Sequence, residues 1–217
     1  MHSDPSLSSK NQLSNPERCL RSAARWLVAS ALAVSLIAAA QADRPAGPRT
    51  VAAAFTAVTA NMSPAGVNLR IQILEWQEPA ARAEVVATLA AGADAATPLA
   101  KLPTVGYIWP NSSPVGYSLK YAHRTSLPDG GERVTLVTDR RIGSYDYKGW
   151  SVGSSEAAKD LPYSVVELEL TGSGTGTGKL SLAAEVMLDE TAGTVSLAAG
   201  SAAANVLQDV KRETNTP

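Results

Sequence analysis

Gly149-Trp150-Ser151-Val152-Gly153 has the G-x-S-x-G spacing of a nucleophile elbow. That motif needs a strained strand-to-helix turn that exposes the serine oxygen beside backbone N–H groups able to hold an oxyanion. Here only Ser155–Leu161 are left for a helix before Pro162, barely two turns. The motif also wants a histidine after the serine, and His123 lies 28 positions before Ser151. Triads are defined by geometry, so Ser151 with His123 stays the candidate catalytic pair. A glycine-rich surface loop is the plainer reading, and in it His123 is a packed strand residue.

A second tempting stretch is Gly172-Ser173-Gly174-Thr175-Gly176-Thr177-Gly178-Lys179. A phosphate loop needs glycine at 173 and a hydroxyl residue at 180, where Ser173 and Leu180 stand. A dinucleotide fingerprint starting at Gly172 needs glycine at 177, which is Thr177. The alternation that follows predicts a strand, so the stretch reads as the Gly/Thr end of a hairpin. Glu167 and Glu169, two apart, share one strand face and resemble an acid/base pair. Solvated carboxylates opposite Lys179 explain them as well. Asp139-Arg140-Arg141 could grip an anion, but reads as a turn with an ion pair.

The cysteine and histidine counts exclude more than they offer. The single cysteine, Cys19, lies in the leader ahead of its apolar run, and His2 lies in the same segment. Residues 43–217 therefore hold no cysteine and one histidine. Disulfides, thiolate metal sites, a cysteine nucleophile and a multi-histidine zinc site are excluded there. No loop follows the acidic calcium-binding pattern, and no cofactor is expected. The whole chain carries 19 Lys+Arg against 20 Asp+Glu, which offers no field for nucleic acid. Asn61-Met62-Ser63 and Asn111-Ser112-Ser113 match the glycosylation sequon, each followed by proline.

Aromatic placement is the remaining signal. Of ten aromatics in residues 43–217, eight fall between 107 and 163. Trp109, Tyr117, Tyr121, Tyr147 and Trp150 are the candidate ligand-binding set, since a Trp/Tyr strip can stack on sugar rings or on a partner's apolar groups. The alternative is that a sheet with one phenylalanine builds its core and cross-strand pairs from Tyr and Trp.

The elements that must position these residues are mostly strands. VNLRIQI places Val67, Leu69, Ile71 and Ile73 on one face. Pro79 opens an Ala-rich helix ended by Gly92, and a second short helix stops near Pro103. Past Pro103 the period-two pattern returns, with Tyr117, Leu119, Tyr121 and His123 expected in one row. Pro128-Asp129-Gly130-Gly131 predicts a hairpin turn. Val166, Leu168 and Leu170 form one face, and Leu180, Leu182, Ala184, Val186 and Leu188 another. The connections are too short for parallel crossovers. The fold class is mainly β (α+β): an antiparallel β-sandwich or curved, partly closed barrel of about nine strands. One inserted helical pair occupies about residues 79–103. An outer-membrane barrel wants aromatic girdles and no inserted helical pair, and is the poorer fit.

The leader supplies the location. Residues 1–25 carry Lys10, Arg18, Arg21 and Arg25; Trp26–Ala40 is uncharged and apolar; Ala40-Gln41-Ala42 is a small-x-small triplet. This is the pattern of a secretory signal peptide cleaved after Ala42. As a helix the apolar run spans about 22 Å, short of a roughly 30 Å hydrocarbon core. An uncleaved N-terminal anchor is the alternative. The expected organisation is a signal peptide (1–42), a flexible link (43–50), one β-rich domain (51–212) and a disordered tail (213–217).

With these landmarks a resemblance can be stated. FTAVTANMSPAGVNLRIQILEW, LPTVGYI, GYSLKYAHRTSLPDGGERVTLVTDRRIG and the pairing of ELEL with GSGTGTGKLSLA look like a group of uncharacterised exported bacterial proteins. The likeness spans about residues 55–210 and implies bacterial export and one compact domain, with no known activity attached. The expected function is a non-catalytic binding or structural module of the bacterial envelope, periplasmic or extracellular. Its partner is expected to be a polysaccharide or an envelope protein, met by the aromatic surface of 107–163. The alternatives are a small hydrolase using Ser151 with His123 and an N-terminally anchored periplasmic domain.

Overall fold

The chain divides into two units, Met1–Pro48 and Arg49–Pro217. The computed structural model describes residues 50–61, 65–111, 113–144, 161–182, 186–197 and 205–214, all within the second unit. The leader, residues 43–49 of the link and the Ser151 loop lie outside the described residues.

Eight strands close into a barrel: β1 (Ala53–Thr59), β2 (Asn68–Ile73), β3 (Gly106–Pro110), β4 (Tyr117–Ser126), β5 (Glu132–Thr138), β6 (Val165–Leu170), β7 (Thr175–Ser181) and β10 (Asn205–Glu213). Two further strands, β8 (Val186–Asp189) and β9 (Thr194–Leu197), form a separate hairpin. Around the barrel the order is β1-β10-β7-β6-β5-β4-β3-β2, with every neighbouring pair antiparallel. The chain thus meanders from β2 to β7, leaves the wall for the β8–β9 hairpin, and returns as β10 to seal against β1. The expected choice between sandwich and barrel resolves as a closed barrel, and ten strands are seen among the described residues, close to the expected number of about nine.

Strict alternation explains why the wall curls round one core. Phe55 faces Ile71, Ile71 faces Ile108, and Ile108 faces Tyr117 across successive strands, so all four point into the lumen. Val166 and Leu168 continue that face against Leu136 and Val134. These lumen side chains are completely or almost completely buried and form one cluster. Burying a side chain of this size is worth about 1.5–3 kcal/mol, so the lumen is the main stabilising element. Arg70, Arg133, Glu169 and Lys179 stand on the outward face. Apolar inside and polar outside is the reverse of the alternation in membrane-spanning barrels. No helix among the described residues is long and apolar enough to cross a membrane.

The glycine-threonine stretch belongs to this pattern. In β7, Gly176 and Gly178 pair with Leu170 and Leu168 on the lumen face, and Thr177 and Lys179 point outward. A methyl group at Gly176 would come within 1.8 Å of the Glu169 carbonyl oxygen, and one at Gly178 within 2.6 Å of the Glu167 carbonyl. The strands approach too closely for any side chain there, which lets the sheet bend.

A second core lies outside the wall. Between β2 and β3 the chain forms α1 (Pro79–Leu89), a 3₁₀ turn (Gly92–Ala95) and α2 (Ala96–Lys101), which matches the expected helical insertion. Pro79 stands in the first turn of α1, where its missing N–H costs nothing. Val85, Val86, Leu89 and Leu99 pack with Val195 and Leu197 of the β8–β9 hairpin. Tyr121, Val137 and Val165 of the wall close this cluster from below. Helices and hairpin therefore cover the outside of β4, β5 and β6.

β4 carries the main departures from the expected strand rows. Its register with β5 shifts between Leu119 and Tyr121. Such a bulge inserts one extra residue and turns the following side chains to the other face. Tyr117 and Leu119 point into the lumen, and Tyr121 and His123 point outward, so the expected single row is split in two. Lys120 at the bulge is buried, and its ammonium donates to the carbonyls of Ala100 (3.1 Å) and Leu102 (2.7 Å) and to Thr104 Oγ1 (3.0 Å). It thereby satisfies carbonyls at the end of α2. Burial pulls its pKa down, opposed by the nearby Asp139 charge. The expected row from Leu180 to Leu188 is also divided. β7 ends at Ser181, and Val186 and Leu188 pack in the outer layer instead.

Candidate functional site

The described members of the expected aromatic set go to three environments. Tyr117 is a lumen residue, and its hydroxyl accepts from the Gly143 N–H at 2.9 Å. Tyr121 is buried under the outer layer, where it donates to the Gly193 carbonyl at 3.0 Å. Burial raises its pKa, and that of Tyr163 as well. Trp109 alone stays on the open outer wall, half-buried. Tyr147 and Trp150 lie outside the described residues.

Trp109 does not stand alone. Arg70, directly across on β2, places its guanidinium over the indole at 4.7 Å from the ring centroid. Tyr107, two residues along, stacks tilted at 5.5 Å. On the β4 side the indole covers Gly116, where an added methyl group would lie 2.7 Å from Nε1. Arg, Trp and Tyr side by side are the residue types that dominate protein contact surfaces. Such cation–aromatic stacking contributes about 0.5–1 kcal/mol at exposed sites.

His123, the proposed partner of Ser151, sits on the outer wall with an edge-on contact to Tyr121 at 6.3 Å. Burial lowers its pKa, and the Arg82 cation adds to the effect. The geometry between His123 and Ser151 falls outside the described residues. Glu167 and Glu169 do share the outward face, as their spacing implies. Glu169 pairs with Arg133 at 2.7 Å; Glu167 lies opposite Lys179 and accepts from the Leu197 N–H at 2.8 Å. Each carboxylate thus has a structural task, Glu169 tying two strands and Glu167 anchoring β9 to the wall. Asp139 is buried and bonds Arg140 at 2.9 Å.

A further polar site lies at the barrel end where β4, β6 and β10 finish. Two hairpin turns of identical construction stand side by side there. In one, the Gly130 N–H bonds the Leu127 carbonyl (3.1 Å) and the Leu127 N–H bonds the Gly131 carbonyl (2.9 Å). In the other, Gly174 and Thr171 repeat the first bond at 2.9 Å, and Thr171 and Thr175 the second at 2.8 Å. Gly130 (φ 81°) and Gly174 (φ 79°) supply the left-handed position that this three-residue loop requires. Between these turns and the end of β10 opens a cleft of about 360 Å³. Glu132 and Arg212 form an ion pair on its floor, with Arg212 also over the Phe55 ring at 5.4 Å. Ser126, Thr171, Ser173 and Thr214 line its sides.

Sequence reasoning missed this cleft. Glu132 and Arg212 are 80 positions apart and meet because β10 closes the barrel. The Pro-Asp-Gly-Gly and Gly-Ser-Gly turns were its readable signal, once both were known to lie at one end. Among the described residues no group of three or more His, Cys, Asp or Glu is placed to hold a metal ion. The chain matches no known protein family model, curated protein or solved structure.

Proposed function

We propose that this protein is an exported, non-catalytic binding or structural module of the bacterial envelope that works through its outer surface. The observation that carries the reading is the filled lumen. Phe55, Leu69, Ile71, Ile108, Leu136 and Leu168 have no exposed surface at all, so the barrel interior is a core and not a ligand store. Contact must then be made outside it, and the Arg70–Trp109–Tyr107 wall is the described remainder of the expected aromatic surface. The leader pattern of residues 1–42 supports export.

The test is expression of the full chain in a bacterium, followed by fractionation. The reading expects a mature protein whose mass begins at Asp43 and which co-sediments with isolated envelope. Trp109→Ala and Arg70→Ala should each lower the sedimenting fraction while leaving the fold intact. An unprocessed chain confined to the cytoplasm, or a processed one indifferent to envelope, would sink the proposal.

A further inference from the structure

We infer that the cleft at the barrel end binds an uncharged polyhydroxylated ligand, one or two sugar rings in size. The inference rests on reading the protein as a binding module and assigns that module a second site, at the barrel end. Its volume of about 360 Å³ lies at the lower end of the range for small-molecule sites, roughly 300–1,000 Å³.

The chemistry of the lining selects the class. Arg212 offers only donors, Glu132 only acceptors, and the hydroxyls of Ser126 and Thr214 both, while Thr171 Oγ1 donates to the Thr175 carbonyl at 2.9 Å and presents its lone pairs. Sugar hydroxyls have the same dual character, so they can be matched on every side. An anion is disfavoured because Arg212 is already neutralised by Glu132, whose carboxylate would face it. A cation meets the reverse difficulty at Arg212. A neutral ligand leaves the ion pair intact and hydrogen-bonds to its outer edges. The Thr171 and Ser173 hydroxyls are held within their own turn, since Thr171 Oγ1 and Ser173 Oγ lie 2.7 Å apart and Ser173 Oγ lies 3.0 Å from Thr175 Oγ1.

Gly172 supplies an independent observation. Its φ lies outside the left-handed region, and an added methyl group would meet nothing closer than the Gly130 carbonyl oxygen at 3.4 Å. The corresponding position of the sister turn is Pro128. The fold therefore does not require glycine at 172. A side chain there would stand in the cleft, and its absence keeps the polar walls open to a ring.

The experiment is a titration of the ¹⁵N-labelled full chain, followed through its amide resonances. The probes are glucose, galactose, mannose, N-acetylglucosamine and their β-1,4-linked disaccharides. At least one should shift the amides of Gly130, Gly131, Thr171, Gly172 and Ser173. The affinity should be unchanged between about 50 mM and 500 mM NaCl, because no net charge is recognised. Gly172→Leu should weaken binding by about tenfold or more with an unchanged unfolding midpoint. Arg212→Gln, which leaves both turns unaltered, should weaken it comparably. Shifts confined to the Tyr107–Trp109 wall would overturn the cleft site yet leave the module reading standing. Salt-sensitive binding of acetate or phosphate in the cleft, without sugar binding, would overturn the ligand class. Silence toward every sugar would overturn the inference, whereas the envelope sedimentation decides the module reading separately.

Discussion

Gly176 and Gly178 show how a residue type can mislead until its face is known. In sequence they belong to a glycine-rich run before a lysine, the composition of a phosphate cradle. In the barrel they occupy alternate positions of β7 where the carbonyls of β6 press against the strand. Gly176→Ala should lower stability by about 1–3 kcal/mol, the usual range for overpacking. Thr177→Ala, on the outward face, should stay within about 0.5 kcal/mol, and urea unfolding of the two variants checks the contrast. His123 makes a pH-dependent prediction. Its folded pKa is lowered from 6.5 by burial and by Arg82. Between that lowered value and 6.5 the unfolded chain therefore holds a proton that the folded chain lacks. Its contribution is fully present above 6.5 and is lost as pH falls through this window. His123→Asn should flatten the acid-side fall of the urea midpoint there. An unaltered slope would show that His123 titrates alike in both states.

At the scale of elements the molecule is a barrel wearing a coat. The helices and the β8–β9 hairpin share an apolar layer with β4, β5 and β6, while the lumen has its own cluster. Leu89 is almost fully buried in that outer layer. Leu89→Ala should cost about 2–5 kcal/mol, and the loss should be local: amide exchange should quicken in α1, β8 and β9 before it does in β1 and β2. Uniform acceleration would mean that barrel and coat unfold as one. The sequence made these elements legible where their signals are local. The Val67–Ile73 alternation, the proline at the start of α1, the Pro-Asp-Gly-Gly turn and the run from Val166 to Leu170 each lie within one short window. The split row of β4 was not legible, because a bulge at Lys120 is set by where its ammonium finds acceptors around α2. Nor was the end of β7 at Ser181, since alternation continues in sequence after the chain has left the wall. The aromatic set suffered for the same reason, with Tyr117 and Tyr121 sent to opposite faces of one strand. The cleft was hidden further, because its two charges meet only through closure of the sheet.

The whole molecule is defined by that closure. A closed sheet leaves no strand edge in the barrel wall for another chain to extend, so contacts on that wall use side chains, as at Trp109, or the cleft at the barrel end, while the two-stranded β8–β9 hairpin keeps edges of its own. The seam lies between β1 and β10, where Thr56 donates to Glu213 across 157 positions of sequence. Synthesis proceeds from the N-terminus, so β1 waits with β2 as its sole neighbour until the final strand has been made. The barrel therefore cannot close before β10 has emerged, 157 positions of sequence after Thr56, and its last seam is sewn by the most distant pair of neighbouring strands.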